Sequence, residues 1–180
     1  MPHSSSKFAD AVRAANMLPS GLFVLAAAHE GRRAGIVARS VQLCADDPLL
    51  ISVTVRCGHW IASILRDART FAIWRVDASE GLMLKKFADP VRPRSGDPFD
   101  GLALSPLVTG APILASSQLA IDCEVFRHID LEADHELFVG KVVAGRVRSA
   151  ADLSVSPAAN GTPQNGQHAN GERHRALRAN

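Results

Sequence analysis

The sequence has 180 residues, 47% of them hydrophobic and 21% charged, which is the length of one domain with enough apolar residues to build a core. Its formal net charge of +2 is accounted for by Glu172, Arg173, Arg175 and Arg178 near the end, so the remainder is neutral and lacks the basic surplus of a nucleic-acid binder. No apolar run is long enough to span a bilayer, and Met1 to Lys7 is polar, without the order of a secretory signal; no nucleic acid, no membrane and a cytoplasmic location are the expectation.

Residues 1–6 read as a frayed end. Lys7 to Asn16 places Phe8, Ala11, Val12 and Ala15 at helical spacing, which gives a helix with one amphipathic face. Pro19-Ser20-Gly21 breaks the pattern, and Gly21 to Ala28 reads as a strand. The turn His29 to Arg33 leads to a second strand from about Ala34. After the turn Asp46-Asp47-Pro48, Leu49 to Val55 is apolar and β-branched, as a buried strand is.

Trp60, Ile61, Ile64 and Leu65 form a helical stripe within His59 to Asp67. Thr70 to Val76 is strand-like, and Ser79 to Phe87 reads as a short helix with Ser79 as its N-cap. Residues 90–112 hold prolines, glycines and charges and form a long connection, the kind of segment that often carries function. Strands follow at about Gln118–His128 and Glu136–Arg148. The count is six strands, mostly antiparallel, which closes most simply into a β-barrel with two or three short peripheral helices. The domain is expected over 1–153. From 154 to 180 the chain is rich in Ser, Ala, Asn, Gly and Gln, and is expected to be a disordered, low-complexity tail.

Cys44, Cys57 and Cys123 have neither a CxxC spacing nor even parity, so neither a disulfide framework nor a metal site is expected. Cys44 and Cys123 stand among apolar neighbours and read as buried thiols. No GxSxG, HExxH, Walker or GxGxxG pattern is present.

Several segments carry a resemblance. In chain order they are Pro19-Ser20-Gly21-Leu22-Phe23-Val24-Leu25, Gly35-Ile36-Val37-Ala38-Arg39-Ser40-Val41, Asp46 to Val53, Phe71-Ala72-Ile73, Lys86-Phe87-Ala88 and Cys123-Glu124-Val125. The last is Asp134-His135-Glu136-Leu137-Phe138-Val139-Gly140-Lys141-Val142. Together, from about residue 8 to residue 148, they resemble the flavin reductases of the FMN-binding split-barrel superfamily, whose closing hairpin reads Gly-Asp-His-x-hydrophobic-Phe-x-Gly. The resemblance implies a six-stranded antiparallel split β-barrel of Greek-key type. It also implies FMN (or FAD) as cofactor, NADH or NADPH as electron donor, and a homodimer with the flavin near the subunit interface. The reduced flavin would serve a flavin-dependent monooxygenase, or electrons would pass to an electron-transfer protein.

By the same resemblance, the loop Val37, Ala38, Arg39 and Ser40 and the strand end Arg56, Cys57, Gly58 and His59 contact the flavin phosphate and ring. Phe87 lines the ring edge, and His135 positions the nicotinamide. The sequence departs from the family at Val37, Cys57 and Ile61, which stand where Thr, Lys and Thr are frequent, and at Ala133, which stands for the motif's glycine. If that turn needs a positive φ at residue 133, alanine is disfavoured.

The residues taken by themselves leave other readings open. Arg39 and Arg56 can simply solvate strand ends, His59 can cap a helix, and Trp60 and Phe87 can be core. Asp134 and His135 are adjacent, so on a strand they point to opposite faces and would not pair. A flavin-holding electron carrier acting with a protein redox partner, or a flavin-free barrel binding another small ligand, remain the alternatives to a reductase. Because the tail has no apolar periodicity, truncation after Leu153 is expected to leave thermal stability and flavin affinity unchanged, as melting curves and flavin titrations will check.

Overall fold

The computed structural model describes residues 3–88 and 96–149, with side chains from residue 8 onward. The expected tail and part of the long connection lie outside these residues. In chain order the elements are α1 (His3–Ala15), β1 (Phe23–His29), β2 (Arg32–Ala38), β3 (Val41–Asp46), β4 (Leu49–Arg56) and α2 (Trp60–Ala68). They continue with β5 (Thr70–Arg75), α3 (Gly81–Lys86), β6 (Leu119–Asp130) and β7 (His135–Val147).

The strands form one antiparallel sheet in the order β2-β1-β5-β6-β7-β4-β3. The sheet therefore has seven strands where the periodicity predicts six. The added strand is β3, an edge strand with Gln42, Leu43 and Cys44 all exposed and a register shift between Leu43 and Ala45. With no buried face it shows no alternation, so its sequence carries no strand signal. Cys44 is accordingly exposed rather than buried, whereas Cys123 is fully buried and its thiol is pushed up to about 12 by desolvation.

β2 and β3 lie at opposite ends of the strand order, yet only Arg39 and Ser40 join them. Three Cα steps of 3.8 Å span at most about 11 Å, so the sheet has to curl until its two edges approach. Alternation then gives the curled sheet two apolar faces. Leu25 and Ala27 of β1 join Ile36, Ile51, Val53, Val55, Phe71, Ile73 and Phe138 in one cluster, which Ile61, Ile64 and Leu65 of α2 also enter. Val24 and Ala26 face the other way, with Ala72 and Trp74, onto Phe87, Phe99, Ile113 and Leu114.

That second face is covered by α3 and by the long connection, which two polar anchors fix to the sheet. The fully buried Asp122 accepts from Thr109 N at 2.7 Å and from Thr109 Oγ1 at 2.5 Å. Arg146 donates to the Ser105 carbonyl, the Ser105 hydroxyl and the Leu114 carbonyl at 3.2, 3.0 and 3.1 Å. A buried carboxylate with two donors is satisfied, and its removal would strand both.

The helices begin differently from expectation in two places. α3 starts after Glu80, because Ser79 is already engaged: its N–H and hydroxyl both donate to Asp77 Oδ1, at 2.9 and 2.7 Å, and those bonds hold the Asp77 carboxyl below its usual range. α1 starts at His3, inside the stretch read as a frayed end, and its apolar stripe packs on nothing among the described residues; Phe8 is 74% exposed.

The family motif's Gly140 has a packing reason. A Cβ there would lie 2.4 Å from Phe71 Cζ and 2.8 Å from Cys123 Cβ, and both neighbours are fully buried. Phe71 cannot swing into solvent, so Gly140→Ala is expected to destabilise the fold by about 1–3 kcal/mol, the range for overpacking a core, as urea denaturation will measure.

Candidate functional site

The curled sheet leaves a cleft of about 500 Å³ where its edges meet. One wall is the end of β2 and the link to β3: Ile36, Val37, Ala38, Arg39 and Ser40. The facing wall is the end of β4, Thr54, Val55 and Arg56, with His135 at the start of β7. Leu84 of α3 and Ala88 close the side. A backbone bond from Val37 N to the Phe87 carbonyl, 2.8 Å, ties the end of β2 to the end of α3.

The structure thus brings together Val37, Ala38, Arg39, Ser40, Arg56 and His135 of the sequence-predicted set. Arg56 and His135 are direct cross-strand partners in the β4–β7 ladder. Arg39 and Arg56 are exposed and form no ion pair with another described residue, so two guanidinium groups stand at one cleft.

The other four predicted residues do not line it. Phe87 is fully buried against Trp74 and Phe99, with ring centroids 5.5 and 5.1 Å away. Its ring fills the space above Gly35, where a Cβ would lie 2.8 Å from it. His59 is 5% exposed and caps α2, Nδ1 accepting from Ile61 N at 3.2 Å. Cys57 and Gly58 form the turn between β4 and that cap, with Gly58 at φ 75. The Cys57 thiol lies 3.4 Å from the Ala133 carbonyl. Desolvation first, and then the charges of Glu136, Asp130 and Asp134, push its pKa up, which keeps it protonated as a donor.

The expectation that Asp134 and His135 would not pair is wrong. Asp134 Oδ1 lies 2.9 Å from His135 Nδ1. Asp134 precedes β7 and belongs to the turn, so strand alternation does not govern it. The hydrogen bond from His135 is the main cause holding the Asp134 carboxyl below its usual range, with the charges of His135 and Arg56 adding to it. With Nδ1 engaged, Nε2 is the imidazole nitrogen left to meet a ligand. The turn's positive φ falls on Glu132, at 54°, rather than on Ala133, so alanine there carries no backbone strain.

Sequence reasoning missed Ile36, Thr54, Val55, Leu84 and Ala88. Four of these are aliphatic and announce no chemistry. Thr54 was within reach, because it stands two residues before Arg56 on one strand and therefore shares its face.

Comparison with known proteins gives a consistent neighbourhood. The family model described as "Flavin reductase like domain" matches residues 15–160. An NADPH-flavin oxidoreductase of Streptomyces viridifaciens is 28% identical over 137 residues, covering 76% of this chain and 71% of that protein. Among solved structures, the NADH:FAD oxidoreductase of Streptomyces globisporus C-1027 superposes with a TM-score of 0.69 at 23% identity, over 82% of this chain and 86% of that one. The styrene monooxygenase flavin reductase of Pseudomonas putida S12 does so with a TM-score of 0.66 at 22% identity, over 78% and 88%. These two structures match the fold, and the fold is that of the flavin reductase split barrels.

Proposed function

Because the chain belongs to the flavin reductase-like domain family, we propose that it is a flavin reductase, transferring a hydride from NADH or NADPH to FMN, with FAD as the alternative flavin, and that the reduced flavin goes to a monooxygenase or another acceptor. The observation that carries this reading is the meeting of Arg39, Arg56 and His135 at one cleft where the sheet splits.

The residues fit a flavin nucleotide. A cleft of about 500 Å³ is within the usual size of a small-molecule site. Two guanidinium groups without an ion-pair partner among the described residues suit a phosphate, which takes charge-assisted bonds from such forks. Ile36, Val37, Leu84 and Ala88 offer an apolar wall to a flat ring. Bound there, the flavin supplies the redox chemistry, and the chain supplies position and electrostatics. Arg39 holds the phosphate from the β2–β3 link, and Arg56 or the Ser40 hydroxyl assists it. His135, its Nδ1 on Asp134, turns Nε2 to the nicotinamide.

The family departures weigh little against this. Ile61 is fully buried in the core and Cys57 faces the Ala133 carbonyl, so of the three positions only Val37 removes a side-chain donor from the cleft lining.

A homodimer belongs to the same reading. On β7, buried Glu136, Phe138 and Gly140 alternate with half-buried His135, Leu137 and Val139. The second set shares its face with Thr54 and Arg56 through the β4 pairing. Ile129, Phe126 and Leu131 beside it are exposed. This apolar face is continuous with the cleft, which suits a flavin lying near a subunit interface.

The test is the visible spectrum of the purified protein with FMN added, followed by NADH or NADPH. Perturbed flavin bands that bleach on adding the nicotinamide support a reductase; bands that shift but do not bleach mean an electron carrier, and an unperturbed spectrum means the cleft holds something else. Loss of one charge-assisted bond to phosphate costs about 1.5–3 kcal/mol. Arg39→Ala is therefore expected to weaken FMN about tenfold or more by titration calorimetry, and an unchanged affinity would move the role to Arg56 or to the backbone donors of the loop.

A further inference from the structure

Glu136 follows His135 on β7, but its side chain goes to the opposite face, where the residue is 5% exposed. A buried carboxylate persists only when paired. Here Arg66 of α2 donates from Nη1 to Glu136 Oε2 at 2.7 Å, and His128 Nε2 of β6 lies 2.5 Å from the same oxygen. The His128 ring in turn stacks on Phe138, centroids 4.6 Å apart. One oxygen therefore joins α2, β6 and β7.

β7 begins here in two ladders, with Arg56 of β4 facing His135 and Asp130 of β6 facing Glu136, and the turn before it lies at the surface. Residues 126–134 are all exposed. On the α2 side, Cys57 N donates to the Asp134 carbonyl at 2.9 Å and the Cys57 thiol reaches the Ala133 carbonyl. The segment from Arg56 to Arg66 thus grips the turn at its start, through Cys57, and β7 at its end, through Arg66. Asp134 and His135 sit between these two grips.

We propose that Glu136 is a positioning residue for His135: by locking Arg66 and His128 onto β7, it sets the place from which the Asp134-supported imidazole meets the nicotinamide. The inference rests on the reductase reading and on the role given to His135 in it. Glu136 does not line the cleft and acts through its neighbour. Removing its carboxylate takes from Arg66 and His128 the oxygen they share, so that only the ladders and the Cys57 contacts hold the start of β7, while the phosphate wall at Arg39, on another part of the chain, is untouched.

The test is a double-mutant cycle on the full-length protein with FMN bound. Residues that act through one another are non-additive, and independent ones multiply. Glu136→Ala is expected to lower kcat/KM for the preferred nicotinamide about tenfold, with FMN affinity unchanged within about twofold. In the His135→Ala background the same substitution is expected to cause no further loss. Glu136→Gln, which keeps an acceptor for Arg66, is expected to recover most of the activity.

If the two losses multiply in the double mutant, or if Glu136→Ala weakens FMN as much as it weakens nicotinamide use, the proposal is overturned and Glu136 is structural. If His135→Ala alone keeps full turnover on a protein that still binds and reduces flavin, the role of His135 falls and this proposal with it, while the reductase reading stands. Should Glu136→Ala fail to fold, Arg66→Gln on the exposed side of α2 carries the same cycle with the same expected outcomes.

Discussion

The two-residue link from β2 to β3 is the constraint on which the rest of the molecule depends. Neighbouring strands in the chain usually pair, but β2 and β3 stand at opposite edges of a seven-stranded sheet and are joined only by Arg39 and Ser40. So short a link forces the sheet to curl, and curling converts an open sheet with two long edges into a barrel split along one line. The same link also places two polar side chains at the split. Closure and the cleft have one cause.

The curl explains how the two cores divide the work. Inside it, Phe71, Phe138 and the aliphatic residues of β1, β2 and β4 pack around α2, whose N-terminus His59 fixes with its own ring. Outside it, α3 and the long connection cover β1, β5 and the start of β6, pinned by Asp122 and Arg146. That outer layer stops at the cleft, where Leu84 and Ala88 form its last wall. The corresponding face of β4 and β7 continues beyond it, with Thr54, Arg56 and His135 at its end. Among the described residues, the cleft lies where covered sheet gives way to uncovered sheet.

Much of this was legible in the sequence, for reasons that can be named. Strands with one buried face, such as Leu49–Arg56, show alternation or β-branched runs, and α2 shows its stripe. The edge strand β3 has no buried face, so nothing in Gln42-Leu43-Cys44 marks it. The stripe of α1 is real as a pattern, yet nothing among the described residues covers it, because amphipathicity reports that a partner is needed and not which one. At the cleft, Arg39, Arg56 and His135 were found through residue order in the resembled motifs. Phe87 and His59 do not line the cleft; they take the core and cap places that the residues by themselves had left open, because adjacency to a motif does not say which way a ring turns. Phe87 turns inward over Gly35, and His59 turns to the helix it caps. Asp134 was discounted by applying strand alternation one residue before the strand begins.

On the proposed reading, ligand and barrel hold each other. Arg39 stands on the link between the edges and Arg56 on β4, so a phosphate bound by both would bridge the line along which the barrel is split. Two like charges lining one cleft repel, and an anion between them turns that repulsion into attraction. Binding to the folded state alone stabilises it by mass action, by about 2.7 kcal/mol at a hundredfold excess over Kd. In a domain whose edges are joined by two residues and no ladder, that contribution falls at the seam. The cations are therefore placed where an anionic cofactor would complete the closure that the backbone leaves unfinished.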